Sequence, residues 1–568
     1  MALTDVIALA PPWLFGEGVG VVKRFFSASK DVTAEARRAL FHLTVLFIAA
    51  GVLLALFRYL WRRIAFDTSR YIEYDLRETF FNHLLKLSPS FYDDARIGDL
   101  ISRASYDIEM IRMFLSIGLI IVVDVATIEL TTLPLLFYLN AKLALIVLIP
   151  LPFMALLATK MIRRLARDSR RVQDFAAKLS ARVQENYSGA AVVKAFGRED
   201  AVADGFEKLS RENVEVNVRF AKSRGMFMAA VMSAAIMSQL VFLLFGGREV
   251  ISGALPLKDF VKFNFYLLWI VWPMAYLGWG INLYQRGLVS MERLKEILDT
   301  EPEITDGPEA DPSITSLKGD IEMRDLTFAY DGKPVLQGVN LRIKAGETVA
   351  IVGRTGSGKT TLVSLIPRLY NPPRNTVFID GREIYAIPLH TLRKHIGFVT
   401  QEPLLFSLTI GENIAFGVDV AADGGRRVEQ AARDAGIHAE IEAFPDRYAT
   451  KLGERGVNIS GGQKQRATIA RALAADPPIL ILDDALSSVD TSTEEEILSN
   501  LRRIRKGRTC IIISHRVSTV KDADSIVVLE KGRVAEKGTH AELIARRGYY
   551  YELYRSQELR RELDDESA

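Results

Sequence analysis

The stretch Gly353-Arg354-Thr355-Gly356-Ser357-Gly358-Lys359-Thr360, followed by Thr361, decides the reading of this chain. It satisfies the pattern G-x-x-x-x-G-K-[ST] at every specified position. The run Thr348-Val349-Ala350-Ile351-Val352 before it has the length and β-branched content of a buried parallel strand, and Leu362–Ile366 after it reads as the start of a helix. Strand, glycine loop and helix in that order make an anion cradle, because the N–H groups of the loop and of the helix start face a phosphate. Lys359 is placed to reach the β- and γ-phosphates, and the Thr360 hydroxyl to bind magnesium. These residues point to a nucleoside triphosphate.

Outward from that loop the chain divides. Its 568 residues allow two to four domains. Up to about Leu294 it holds repeated long apolar runs, whereas beyond Glu301 short strand signals alternate with helical ones. A net charge of +3 indicates neither a nucleic-acid partner nor an acidic substrate. The single cysteine, Cys510, excludes an internal disulfide and sits in the apolar run Cys510–Ile513, which predicts a buried structural thiol.

The first half predicts a membrane bundle. Candidate spans are Leu40–Leu60, Met113–Tyr138, Leu143–Thr159 after the turn Asn140–Lys142, Met226–Phe245 and Phe263–Leu283. Residues Ala2 to Val22 are apolar but interrupted by Asp5, Pro11, Pro12 and Glu17, and read as a short or incomplete first span. They lack the basic start of a secretory signal. The long polar connections carry Arg163, Arg164, Arg167, Arg170, Arg171, Lys178 and Arg182, while the short loops are poor in such charge. The positive-inside rule therefore places the long connections in the cytoplasm. Six spans put both termini there; five put the N-terminus outside. Asp124 and Glu129 fall inside a span, where a carboxylate is costly. They could contact a cationic substrate, couple to protons, pair with bases at helix ends or lie near an interface.

The second half adds further phosphate chemistry. Ile479–Leu482 reads as a buried strand ending in Asp483-Asp484, and Asp483 is placed to hold magnesium beside the glycine loop. At Asn458-Ile459-Ser460-Gly461-Gly462-Gln463 a second glycine pair opens a helix through Leu473. In this combination the sequence resembles the ATP-binding cassette transporters, specifically the exporter half-transporters, over nearly its whole length. The resemblance implies a multidomain protein: an all-α transmembrane domain followed by an α/β P-loop nucleotide-binding domain. The expected boundaries are a membrane domain at 1–300, a linker at 301–318, the cassette at 319–557 and a charged tail at 558–568. It is expected at the cell membrane as a multi-pass protein, with the cassette in the cytoplasm.

The resemblance also implies residue roles. Tyr330 is similar to the aromatic that stacks on adenine, and Gln401 to the glutamine that senses magnesium and contacts the membrane domain. Ser460, Gly461, Gly462 and Gln463 match the signature that binds ATP held by the opposite subunit, Asp490 fits the loop crossing the dimer seam, and His515 is similar to the γ-phosphate switch histidine. Gly453–Gly456 looks like the exporter loop at the coupling helices. Phe91-Tyr92-Asp93 with Gly98 and Asp107 looks like the first coupling region, and Glu185–Gly189 through Phe196 like the approach to the second.

Two departures stand out. The family has glutamate after the Walker B aspartate, as the base that orients the attacking water; here that position is Asp484. The side chain is shorter by one methylene, and a misplacement of about 1 Å can cost about a hundredfold in rate. Slow hydrolysis at this chain's own loop is expected. The signature is intact apart from Ile459 in place of leucine, so a heterodimer is favoured over a homodimer, with a partner carrying the glutamate. The second departure is the N-terminus: family members begin with an amphipathic helix and a complete first span, whereas only the initiator precedes Ala2, which suggests a truncated or misassigned start.

The expected activity is ATP-driven export of a small amphipathic or lipid-like substrate. A homodimeric lipid flippase, an importer on the exporter fold, and a membrane-anchored ATP sensor with little turnover are the alternatives.

Overall fold

The computed structural model describes residues 2–27, 33–418, 425–453, 456, 458–486, 497, 499–500 and 507–567. The chain folds as two compact units, Met1–Leu84 with Ile97–Asp299, and Leu85–Arg96 with Thr300–Ala568.

All the regular structure among the described residues of the first unit is helical, with turns such as 196–198 and 252–256 between helices. Among these, Leu3–Arg24, Ala34–Leu84 and Ile97–Leu148 are long and apolar enough to cross a membrane. Further helices span Pro150–Ser188, Glu199–Ile251 and Leu257–Leu298. The helix Thr33–Leu84 has 52 residues, which at 1.5 Å per residue is about 78 Å, more than twice the ~30 Å of hydrocarbon in a bilayer. Its apolar half turns Val45, Leu46, Ile48, Val52, Leu53 and Leu56 outward. Lipid accepts such a surface; water does not. Its other half, from Arg62 on, is too charged for hydrocarbon and continues beyond it.

The turn expected at Asn140–Lys142 is a kink inside the helix Leu119–Leu148, at Asn140 (φ −165°, ψ 102°). The Asn140 Oδ1 accepts the Leu143 N–H at 3.0 Å, so the side chain caps the segment that follows. Leu136, Leu143 and Val147 on either side of the kink bury themselves against Phe242, Phe263, Tyr266 and Ile270. Phe242 stacks on Phe260 and Phe263, with ring centroids 4.5 and 5.1 Å apart.

One buried charge joins the first helices to the last of this unit. Lys262, 1% exposed, donates from Nζ to Glu17 at 2.7 Å and to Asp259 at 3.1 Å, and lies 3.7 Å from the centroid of the Trp13 ring. An ammonium buried this far depends on its partners, and a hydrogen bond to a charged group contributes about 1.5–3 kcal/mol. Glu17→Ala is therefore expected to cost about 2 kcal/mol, read as a lower Tm in lipid or detergent, while Lys258→Ala, which removes a half-buried partner of the same carboxylate, costs less.

The second unit carries two sheets. The smaller has the strand order β2-β1-β4-β5, with β1 (Ile321–Tyr330), β2 (Lys333–Ile343), β4 (Val377–Ile379) and β5 (Arg382–Glu383). Tyr330 pairs with Lys333 across the two-residue loop Asp331-Gly332, both at positive φ, the combination that matches the twist of a tight hairpin. The larger sheet has the order β10-β9-β3-β8-β7-β6. Its strands are β3 (Thr348–Val352), β6 (Ile396–Val399), β7 (Ile479–Asp483), β8 (Thr509–Ile513), β9 (Ser525–Glu530) and β10 (Arg533–Gly538). All run parallel except β10. Every residue of β3, β7 and β8 is buried, Cys510 included, which is why these strands read as unbroken aliphatic runs.

Two further segments belong to this unit. In the 301–318 stretch, Ile314 and Leu317 join the apolar core between the sheets. The segment Leu85–Arg96, with its short helix Pro89–Asp94, is held by distant residues: the Tyr370 hydroxyl donates to Asp93 Oδ2 at 2.8 Å, and Ser90 Oγ to Glu303 Oε2 at 2.6 Å.

Candidate nucleotide site

Strand order assembles the site. Because β8 lies between β3 and β7, the loop after β3, Asp483-Asp484 at the end of β7, and His515 after β8 emerge side by side at the carboxyl end of the sheet. Open parallel sheets bind ligands there. Gln401 follows β6 on the far side of β7. A cavity of about 410 Å³ results, lined by Tyr330, Thr355, Gly356, Gly358, Lys359, Thr360, Thr361, Gln401, Asp483, Asp484 and His515, with Val335 and Ile513. Sequence reasoning missed the last two, which are ordinary apolar strand residues until the fold brings them to the wall.

Three members of the glycine loop do not line the cavity but shape it. The carbonyls of Gly353 and Arg354 each accept from Lys359 Nζ at 3.0 Å. The Ser357 hydroxyl is buried with no partner among the described residues. Gly353 has φ +157°, and a Cβ there would meet Leu529 O at 2.2 Å, so the loop closes on β9 only with glycine at this position. Behind the loop, Lys359–Ser364 is helical.

Electrostatics suit a polyanion with a divalent cation. Burial holds the Lys359 ammonium below its ordinary range, with Asp483 and Asp484 opposing. Burial pushes the Asp483 carboxyl up, with the Thr360 hydroxyl and Lys359 opposing and Asp484 adding to the rise. Asp483 Oδ2 is buried and has no partner among the described residues. An oxygen donor left in that condition fits a hydrated magnesium ion.

Asp484 stands just past the end of β7 and is held by its backbone. Its backbone is left-handed at φ +46°, a region aspartate enters more readily than most residues. Its N–H donates to Ile513 O at 2.9 Å and its carbonyl accepts from Gln465 Nε2 at 3.0 Å. The backbone is pinned from both sides, so reach toward the cavity comes from the side chain alone.

The signature stands elsewhere. Ser460 caps the helix Gly461–Ala474 in a reciprocal box with Gln463: Ser460 Oγ accepts the Gln463 N–H at 3.2 Å, and Gln463 Oε1 accepts the Ser460 N–H at 2.9 Å. None of Ser460, Gly461, Gly462 and Gln463 lines the cavity. Asp490, Glu454 and Arg455 lie outside the described residues. In the first unit, Asp124 lines a separate cavity of about 360 Å³ with Asp5, Arg58, Trp269 and Tyr276, whereas Glu129 is not part of it and buries Oε1 without a partner among the described residues.

Comparison with known proteins decides the family. Residues 1–274 match the ABC transporter transmembrane region and residues 336–487 the ABC transporter nucleotide-binding family. A probable multidrug resistance ABC transporter ATP-binding/permease protein of Bacillus subtilis, YheI, is 36% identical over 98% of this chain and 93% of its own length. The chain belongs to the ABC exporters, as a half-transporter. The multidrug resistance-like ATP-binding protein MdlA of Escherichia coli is 34% identical over 100% of the chain and 94% of its own length. An ATP-dependent lipid A-core flippase of Desulfotalea psychrophila is 36% identical over 90% and 88%. The solved structure of a bacterial Atm1-family ABC exporter with ATP bound superposes with a TM-score of 0.78, at 30% identity over 98% of this chain and 97% of that one. The half-transporter is thus a multi-pass membrane protein whose cytoplasmic domain binds ATP and couples its hydrolysis to transport.

Proposed function

We propose that this half-transporter exports a small amphipathic or lipid-like molecule, pairs with a second half-transporter, and contributes a slow ATP site at its own phosphate loop. The observation that carries the slow site is Asp484: a carboxylate one methylene short of the family's glutamate, on a backbone hydrogen-bonded at both its N–H and its carbonyl. A side chain carrying the shorter reach cannot recover it by shifting the main chain. The observation that supports pairing is the separation within one chain of the phosphate loop from an intact, capped signature helix. Each needs a complement from another subunit. A partner with glutamate after its Walker B aspartate would use this chain's Ser460–Gln463 to complete a fast site.

In this reading Tyr330 stacks on the adenine, the loop from Gly353 to Thr361 wraps the phosphates, and Lys359 turns from the Gly353 and Arg354 carbonyls to the β- and γ-phosphates. Thr360, Asp483 and Gln401 would hold magnesium, which would neutralise charge on the phosphate oxygens. Asp484 and Gln401 orient the attacking water, and His515 holds the γ-phosphate. The lipid-like substrate class is supported by relatives named as multidrug transporters and lipid A-core flippases.

Reconstituted vesicles containing the half-transporter, with and without a co-expressed second half-transporter, are expected to move a fluorescent short-chain phospholipid or an amphipathic dye only with Mg-ATP. Lys359→Ala combined with loss of the corresponding phosphate-loop lysine of the second half-transporter should abolish that movement. Equal movement without ATP, or by a dimer lacking both phosphate-loop lysines, would refute ATP-driven transport, and full transport and turnover by this chain alone would refute the requirement for a partner.

A further inference from the structure

The ring of His515 can meet a phosphate only if the backbone around it is fixed, and this backbone lies beyond the end of β8, where the sheet ladder no longer holds it. Side chains hold it instead. The Arg516 N–H donates to Ser514 Oγ at 3.0 Å. The His515 carbonyl accepts from Gln557 Nε2 at 2.6 Å, and the Val517 N–H donates to Gln557 Oε1 at 2.8 Å. One primary amide therefore clamps the chain on both sides of the Arg516 residue that follows the histidine. Only one orientation of that amide satisfies both bonds, since the carbonyl must meet a donor and the N–H an acceptor.

Gln557 is far away in sequence and belongs to the helix Tyr549–Ser567. Tyr550, Leu553, Tyr554 and Gln557 follow a spacing that places them on one helical face. Tyr550, with Tyr549, Leu553 and Tyr554, packs in a cluster containing Val517 and Val520. These two valines bound the four-residue helix Val517–Val520, whose N-cap residue Arg516 supplies no side-chain cap; Gln557 provides the cap from outside. The Tyr550 hydroxyl is tied in turn to His540 Nδ1 at 2.8 Å, which fixes the rotation of the C-terminal helix.

We propose that Gln557 is a positioning residue for ATP hydrolysis, and that the C-terminal helix sets the register of the His515 switch by this double hydrogen bond. The proposal rests on the reading of His515 as the residue that meets the γ-phosphate. It acts through His515 and touches no nucleotide itself.

The test uses the full-length chain purified without a second half-transporter in lipid nanodiscs, so that every ATP site carries this chain's own His515, comparing wild type with Gln557→Ala, Gln557→Leu (which keeps the packing volume), Ser556→Ala (an exposed neighbour) and His515→Ala. Hydrolysis rates and hydrogen exchange are read on the same samples. For Gln557→Ala and Gln557→Leu, kcat is expected to fall about tenfold, in line with the rate cost of small misplacements. KM for ATP should stay within about twofold, and the Val517 amide should lose protection, while Ser556→Ala behaves as wild type. Wild-type kcat in both Gln557 variants, with His515→Ala impaired, overturns the proposal alone. An unimpaired His515→Ala overturns the switch reading and this proposal with it. A fall in kcat that Gln557→Leu does not share assigns Gln557 to packing and also overturns it.

Discussion

Asp484→Glu should raise the ATPase activity of this chain, purified without a partner and held in lipid, by about ten- to a hundredfold. The gain follows from restoring one methylene of reach to a carboxylate whose backbone cannot move toward the cavity, since a misplacement near 1 Å is worth about two orders of magnitude. A cost opposes it. The left-handed backbone at position 484 is less favourable for glutamate than for aspartate, by up to about 1 kcal/mol. A hundredfold rate is about 2.7 kcal/mol, so the gain wins in rate, while Tm should slip by a small amount. Steady-state phosphate release on the two proteins, beside Lys359→Ala, decides the matter. Brisk hydrolysis by the wild type alone, unchanged by the glutamate, would remove the reason for expecting a slow site and make a homodimer the better reading.

The second large effect is expected at Gly353. Gly353→Ala places a methyl carbon 2.2 Å from the Leu529 carbonyl oxygen and 2.8 Å from Ser357 Oγ. The serine can rotate; the carbonyl belongs to β9, where Leu529 pairs with Val534 of β10, and has no such freedom. Overpacking of this kind costs about 1–3 kcal/mol before any backbone strain is added, and the loop must pull away from the sheet. Binding of a fluorescent ATP analogue should weaken at least tenfold, with a lower Tm. Gly356→Ala is the comparison: it shares a left-handed φ, +80°, but a Cβ there meets nothing within 4 Å. It should keep the fold with a smaller loss. If both alanines bind the analogue like wild type, close contact of the loop with β9 has no part in the phosphate site.

Much of the site was legible in the sequence, because chemistry at the ends of buried strands leaves short, local marks. The glycine loop, Asp483-Asp484 and His515 each follow an aliphatic run that could only be an interior strand. Their convergence was not legible from those marks, since it depends on β8 inserting between β3 and β7, a matter of topology. Val335 lines the cavity yet looks like any strand residue. The left-handed backbone of Asp484 leaves no trace beyond a residue type that tolerates it. Gln557 stands one residue before a stretch read as a charged tail, and nothing in Arg555–Glu558 announces that one side chain reaches the far end of β8. The turn at Asn140 was visible because asparagine interrupts an apolar run. The coupling role of Phe91-Tyr92-Asp93 came from the resemblance alone, and the pairs that attach Leu85–Arg96 to the second unit, such as Asp93 with Tyr370, are linked by no periodicity.

That last attachment has a consequence for how the protein is made. Asp93 and Tyr370 are 277 residues apart, and Ser90 and Glu303 are 213 apart. At about 5–20 residues per second, a ribosome finishes Tyr370 roughly 15–55 s after Asp93. Throughout that interval the short helix Pro89–Asp94 has no surface to settle on, although the helices flanking it are already being threaded into the bilayer. The second unit is therefore not a bead that folds after the first is complete. It is closed by a piece synthesised long before it, and a fragment begun at Thr300 would be that unit with one of its own parts missing.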